Sequence, residues 1–209
     1  MDPDLLSRLP PMLAFAFATC ATPGPNNAMV ASSGATFGFR LTIPHMAGVA
    51  VGFPAMLAIV AVGGGNVLRA APTLHDVLKL AGAAYMLWLA WHIATATPTL
   101  PSDDEAAMMG QAGKPLSFTQ AALFQWINPK AWIIAFGAVT TYTTADDVIG
   151  QALLLALIFL PMGVMTIAFW TLTGIGAARI LRSRRAIRGF NIAMAALLVA
   201  SLLPLMSEG

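Results

Sequence analysis

The apolar run from Leu9 to Ala35 is interrupted by Thr22-Pro23-Gly24-Pro25-Asn26-Asn27. Proline lacks a backbone donor and clashes with the preceding turn, and glycine takes dihedrals that other residues avoid. A helix entering this run therefore has to break at Pro23–Pro25. In lipid, each unpaired backbone group costs several kcal/mol, so such a break survives only when it is enclosed in protein or lines a cavity. A cavity at that depth is where a solute would bind.

That the surroundings are lipid follows from the rest of the chain. Of 209 residues, 58% are hydrophobic and only 10% are charged, against about 25% charged in soluble domains. About 20 mostly apolar residues cross a bilayer as a helix, and six segments qualify: 9–37, 43–62, 76–95, 118–140, 149–172 and 188–206. The second contains Pro54, the fourth contains Asn128-Pro129-Lys130 and the fifth contains Pro161. A polar stretch at 96–117, with Asp103, Asp104 and Glu105, has the composition of a linker. The start, Met1-Asp2-Pro3-Asp4, lacks the basic flank of a cleavable signal, so the first segment reads as a retained span.

The connections after spans one, three and five hold Arg40, Lys114, Arg179, Arg182, Arg184, Arg185 and Arg188, whereas the opposite side holds Arg8, Arg69 and Lys79. The excess of positive charge places the odd connections in the cytoplasm and both termini outside. The linker divides the spans three and three, so the halves would be inverted relative to one another. Each half opens with a proline-interrupted span and continues with a span carrying a central proline. The expected fold is thus an all-α integral membrane protein forming one transporter domain over 1–209. Its six helices form two inverted three-helix repeats, about 5–95 and 118–206, joined by a cytoplasmic linker, with the first and fourth helices interrupted. Paired interrupted helices point to a midplane binding site.

Lys130 lies a dozen residues into its span, about 18 Å along the helix and near mid-bilayer. A lysine there costs at least about 2.5–3.5 kcal/mol and is a functional candidate; the alternatives are snorkelling or bonding to carbonyls freed by proline. Asn26, Asn27 and Asn128 bring neutral donors and acceptors to the same level, either for a ligand or for backbone groups orphaned at the breaks. The helix resuming after Asn26 would turn its N–H groups and dipole toward an anion, while carbonyls before the break would suit an ammonium. A zwitterionic amino acid needs both. Gln125, one turn before Pro129, either lines the cavity or bonds across helices. Tyr85, Trp88 and Trp91 share helical spacing, and Tyr85 is the one of them that could line or gate the path. Gly48 and Gly52 form a GxxxG that admits another backbone. His45, His75 and His92 fall near predicted span ends and read as interfacial residues, with proton relays as the alternative. The candidate substrate-binding set is Pro23, Gly24, Pro25, Asn26, Asn27, Tyr85, Gln125, Asn128, Pro129 and Lys130.

Several classes are excluded or disfavoured. The spans hold no Ser–His pair, carboxylate set or metal-binding cluster for an intramembrane enzyme. A single cysteine, Cys20, rules out a dithiol carrier and a Cys-based metal cage. The basic residues form one short cluster without a nucleic-acid motif, and they fit an anchor to anionic lipid instead. No cofactor is expected, and the oligomeric state is left open.

The strings Thr22-Pro23-Gly24-Pro25-Asn26, Gly38-Phe39-Arg40, Ala81-Gly82-Ala83-Ala84-Tyr85 and Asn128-Pro129-Lys130 occur together, in order, across the chain. In this combination the chain resembles the LysE/RhtB-type amino-acid exporters. Asn27-Ala28, Ser32-Ser33 and Met86-Leu87-Trp88-Leu89-Ala90-Trp91 make it similar to the cysteine/O-acetylserine branch of that family. The resemblance implies efflux of small neutral amino acids or derivatives across the inner (plasma) membrane by a secondary transporter, with protons as the coupling ion. Basic amino acids, homoserine- or threonine-type solutes, and a passive channel remain alternatives. Many members of the family carry an acidic residue where this chain has Phe53. No Asp or Glu lies deep in any span, so coupling through an intramembrane carboxylate is not expected, and coupling through Lys130 or through the substrate's own ionisation stays open.

Overall fold

The computed structural model describes residues 3–64, 80, 84, 86–88, 90–95, 114–144, 147–181 and 184–200. Tyr85, His75 and most of the predicted linker lie outside these residues. The described chain is helical, and no strand occurs among the described residues. Helix α1, Pro3–Ala21, ends at the predicted break, and α2, Pro25–Ile59, begins immediately after it. Helix α3, Phe118–Phe124, runs through a 3-10 turn, Gln125–Ile127, to a second break at Asn128. Then follow α4, Pro129–Tyr142, α5, Val148–Leu181, and α6, Arg184–Ala200.

Local chemistry accounts for these boundaries. Proline opens both α2 and α4 at the first helical position, where its missing N–H removes no helical bond. Ser117 and Gln120 start α3 with a reciprocal capping box: Gln120 N–H donates to Ser117 Oγ and Ser117 N–H donates to Gln120 Oε1. Within α2, Gly38 has φ 76° and ψ 178°, which a side chain would resist. The Ser33 and Thr42 hydroxyls are 2.9 Å apart, whereas nine residues of straight helix span about 13.5 Å. The chain therefore folds back at Gly38, making two arms, 25–37 and 39–59. This is the end of the first predicted span and the start of the second.

Packing joins the breaks. Met12 and Ala16 of α1, Phe53, Met56 and Leu57 of α2, Ala131, Ala135 and Ala138 of α4, and Leu155 and Phe159 of α5 form one buried cluster. On the other side of the breaks, Ala28, Met29 and Ala31 pack with Phe124, Met194, Ala195 and Leu198. The GxxxG glycines admit a backbone as expected. A Cβ on Gly48 would strike the Phe118 carbonyl, and one on Gly52 would lie 2.7 Å from Ala122 Cα.

The outward faces are apolar. Leu153, Leu157 and Val164 of α5 are 56%, 67% and 51% exposed and lie on one face, a stripe that water would not tolerate and lipid would cover. Among the described residues, two stretches, Pro25–Gly63 and Val148–Ile180, are long and apolar enough to cross a membrane; the first is divided at Gly38.

Candidate functional site

A helix C-terminus leaves orphan carbonyls, and the end of α1 shows where each one goes. The Cys20 carbonyl accepts from Asn27 Nδ2 at 2.9 Å, and the Ala21 carbonyl from Trp170 Nε1 at 3.3 Å. The Thr22 carbonyl accepts from Asn27 Nδ2 at 2.8 Å and from Lys130 Nζ at 2.7 Å. The Pro23 carbonyl accepts from Lys130 Nζ at 3.3 Å, and that ammonium also donates to Thr22 Oγ1 at 2.8 Å. All three ammonium protons are thus used. The carbonyls expected to receive a substrate's ammonium are taken by the lysine of the other break. Glycine at 24 makes room for it, since a Cβ there would lie 2.7 Å from Lys130 Cδ.

The breaks are tied a second time. Asn26 Nδ2 donates to Gln125 Oε1 at 2.9 Å and Gln125 Nε2 donates to Asn26 Oδ1 at 3.1 Å. Gln125 Nε2 also reaches the Ala121 carbonyl. This closed amide pair holds residues 99 apart in sequence.

The N-termini of the two resumed helices differ. Asn128 caps its own: its Oδ1 accepts from Lys130 N–H at 3.1 Å, and its carbonyl accepts from Ala131 and Trp132. At the first break Gly24 supplies no side-chain cap, so the dipole of α2 is offset by no side chain. That end faces a cavity of about 60 Å³, lined by Gly24, Pro25, Asn26, Asn27, Asn128 and Lys130 from the breaks. The volume holds about four to six water-sized spheres. Val49, Ala50, Phe53, Ile134 and Phe159 supply an apolar wall.

A family model, LysE type translocator, matches residues 17–208. The chain belongs to the LysE-type translocator family. It is 32% identical over 204 residues to the cysteine/O-acetylserine efflux proteins of Escherichia coli (strain K12) and Shigella sonnei (strain Ss046), covering 95% of this chain and 96% of each relative. No solved structure matches the chain. A LysE-type translocator moves solutes across a membrane and is not an enzyme.

Of the residues singled out in this translocator's sequence, Gly24, Pro25, Asn26, Asn27, Asn128 and Lys130 come together on the cavity. Pro23, exposed, contributes its carbonyl. Gln125 is fully buried in the amide pair, and neither it nor Pro129 is among the cavity-lining residues. Tyr85 lies outside the described residues. Thr19 and Thr166, which also line the cavity, were not singled out. Each hydroxyl donates to the carbonyl four residues earlier, Phe15 at 2.7 Å and Met162 at 2.8 Å. The proton is spent on the helix, and the oxygen keeps acceptor capacity for a ligand. For Thr166 the one available signal was helical: Phe159, Gly163, Thr166 and Ile167 share a face of the fifth span.

His45 corrects another expectation. It is not an interfacial side chain but 1% exposed, and neither ring nitrogen has a hydrogen-bond partner among the described residues. Its burial comes from the fold-back at Gly38 and from α3 packing against the Gly48–Gly52 face.

Proposed function

We propose that this translocator exports small neutral amino acids or derivatives, of the cysteine and O-acetylserine kind, from the cytoplasm in exchange for protons. The observation that carries the reading is the meeting of two broken helices on one cavity, with Lys130 of the second bonded to the carbonyls of the first. The substrate's carboxylate binds the uncapped N-terminus of α2 at Gly24–Asn27, where N–H groups and dipole both favour an anion. Its ammonium is accepted by the lone pairs of Thr19 and Thr166. The short side chain lies against Phe53, Ile134 and Phe159. This wall and the small volume disfavour a lysine- or arginine-sized side chain, which would bring a second cation beside Lys130. The names of the relatives, which are cysteine/O-acetylserine efflux proteins, agree with that selection.

Movement follows from the repeated order of elements. The second half has a broken helix, a long proline-containing helix and a third helix, and the described part of the first half has a broken helix followed by a proline-containing arm; this order supports a cycle in which two inverted three-helix repeats rock about the cavity. The protein sits in the inner membrane with its termini outside and the Gly38 turn in the cytoplasm. The test is transport by the purified full chain in sealed vesicles. O-acetyl-L-serine and L-cysteine should accumulate against their gradients when a proton gradient is imposed, and an uncoupler should abolish the accumulation. Lysine accumulating in preference to either, or equilibration of solutes without accumulation, would refute the reading.

A further inference from the structure

We infer that His45 is the group that binds the coupling proton, an assignment resting on the proton-driven export proposed above. His45 stands one turn before Val49 of the cavity wall, about 6 Å along the helix toward the Gly38 turn. A polar group buried without a partner costs about 1–3 kcal/mol, and this ring buries two such atoms. Leucine or methionine would fill the space without that cost.

Thr42, one turn before His45 on the same arm and likewise buried, begins a buried polar seam between the cavity and the Gly38 turn. Ser33 and Thr42 pair there through their hydroxyls, and Ser32 donates to Asn191 Oδ1 at 3.1 Å. Asn191 Nδ2, like the imidazole, has no partner among the described residues. The helices around the seam bring little competing charge. Arm 25–37 and α3 carry no titratable side chain, α5 carries Arg179 at its exposed end, and α6 carries Arg184 at its first residue and Arg185 and Arg188, the latter two exposed. Arg40 on the same arm and Lys114 before α3 are exposed as well.

The other groups that could take a proton are placed worse. Of the chain's Asp and Glu residues, at 2, 4, 76, 103–105, 146, 147 and 208, one, Asp4, falls in a described helix that lines the cavity, and it stands at the far end of α1, about 22 Å along the helix from Thr19. Lys130 already uses its three protons on the first break, and the Tyr142 hydroxyl donates to the Pro11 carbonyl.

A neutral imidazole has one lone pair, and once protonated both nitrogens are donors. A charged ring without acceptors is not tolerated in a closed seam, so proton binding favours a state in which the seam opens to water. A proton entering from outside and bound at His45 would open the Gly38 side to the cytoplasm. Release of that proton to cytoplasmic water restores the neutral ring and closes the seam behind a loaded substrate. One proton enters per solute exported.

The test uses the full chain in vesicles with O-acetyl-L-serine. In H45Q, accumulation under an imposed pH gradient should fall at least tenfold, to the level without a gradient. Counterflow of labelled for unlabelled O-acetyl-L-serine, which needs no net proton movement, should stay within a few fold of wild type. Gradient-driven accumulation by H45Q equal to wild type overturns the assignment alone. A wild type that exchanges but ignores the gradient overturns proton-driven export together with it. Should H45Q fail to insert, a chain carrying H75Q and H92Q retains a single imidazole for nitrogen NMR. That ring should change from neutral to charged between pH 8 and pH 5, and one that stays neutral throughout overturns the assignment.

Discussion

Replacing Lys130 with methionine keeps most of the side chain's length and removes its three donors. Those donors reach the Thr22 carbonyl at 2.7 Å, the Thr22 hydroxyl at 2.8 Å and the Pro23 carbonyl at 3.3 Å. Hydrogen bonds from a charged donor contribute about 1.5–3 kcal/mol each. Two are short and one is long, and Thr22 and Pro23 are exposed, so water recovers part of the loss. The expected net weakening of the contact between the breaks is about 3 kcal/mol. With each 1.4 kcal/mol a factor of ten, this is roughly a hundredfold shift in the balance between joined and separated breaks. It is smaller than the 5–15 kcal/mol that holds a typical domain folded, so K130M should insert normally and melt cooperatively. With separation of the breaks no longer tied to the arrival of substrate, export of O-acetyl-L-serine from vesicles should fall by about two orders of magnitude. K130M exporting at the wild-type rate would remove Lys130 from the mechanism and with it the reading of the paired breaks as one working unit.

Other substitutions probe the same contacts separately. In G24A the new methyl would lie 2.7 Å from Lys130 Cδ, well inside the usual 3.5–4.0 Å separation, while the extended backbone at 24 accepts alanine. Expression should be normal and export should drop about tenfold; unchanged export would mean the lysine can leave the break without consequence. Q125L leaves the Asn26 amide unpaired and should destabilise the protein by about 1–3 kcal/mol, read as a lowered melting temperature in detergent. An unchanged melting temperature would show that the pair contributes nothing net. T166V removes one acceptor from the cavity and should raise the KM for O-acetyl-L-serine about tenfold with little change in maximal rate. A KM equal to wild type would exclude that hydroxyl from the site.

What the sequence discloses here is what proline and glycine determine locally. Pro23-Gly24-Pro25 and Asn128-Pro129 set both breaks because an extended glycine or asparagine stands just before the proline that opens the next helix, whereas single prolines such as Pro54 and Pro161 stay inside theirs. Gly48 and Gly52 mark a close approach because only their lack of a side chain permits it. What joins the breaks is less legible. Lys130 and Thr22 are 108 residues apart, and nothing local distinguishes a lysine that binds a ligand from one that binds another helix's carbonyls. The same holds for Gln125, whose partner lies on a different helix. His45 reads as interfacial from sequence because it stands two residues from the start of the second predicted span. Its burial depends on the arm that folds back at Gly38 and on α3 arriving at Gly48, neither of which periodicity reveals. Thr19 and Thr166 escaped because a threonine in an apolar helix ordinarily bonds its own backbone. Both do so here as well; only the cavity beside them makes their remaining lone pairs matter.

The two breaks both resume on a proline yet are unequal in chemistry, and the inequality bears on the proposed cycle. Asn128 satisfies the second break from within, so that half-helix keeps its N-terminus whatever its neighbour does. The first break depends on others: its carbonyls are held by Asn27, Trp170 and Lys130, and the N-terminus of α2 has no side-chain cap. A carboxylate arriving at Gly24–Asn27 comes within reach of the same ammonium that straps the breaks together, because Lys130 Nζ lies only 3.0 Å from where a Cβ on Gly24 would stand. An anion there competes with the Thr22 and Pro23 carbonyls for the lysine's protons, and charge makes it the stronger acceptor. Substrate binding would therefore loosen the contact between halves that must separate for export, whereas an uncharged solute of the same size would leave the strap closed. In that scheme the carboxylate is the part of the substrate that triggers movement, and the side chain decides only which amino acids fit.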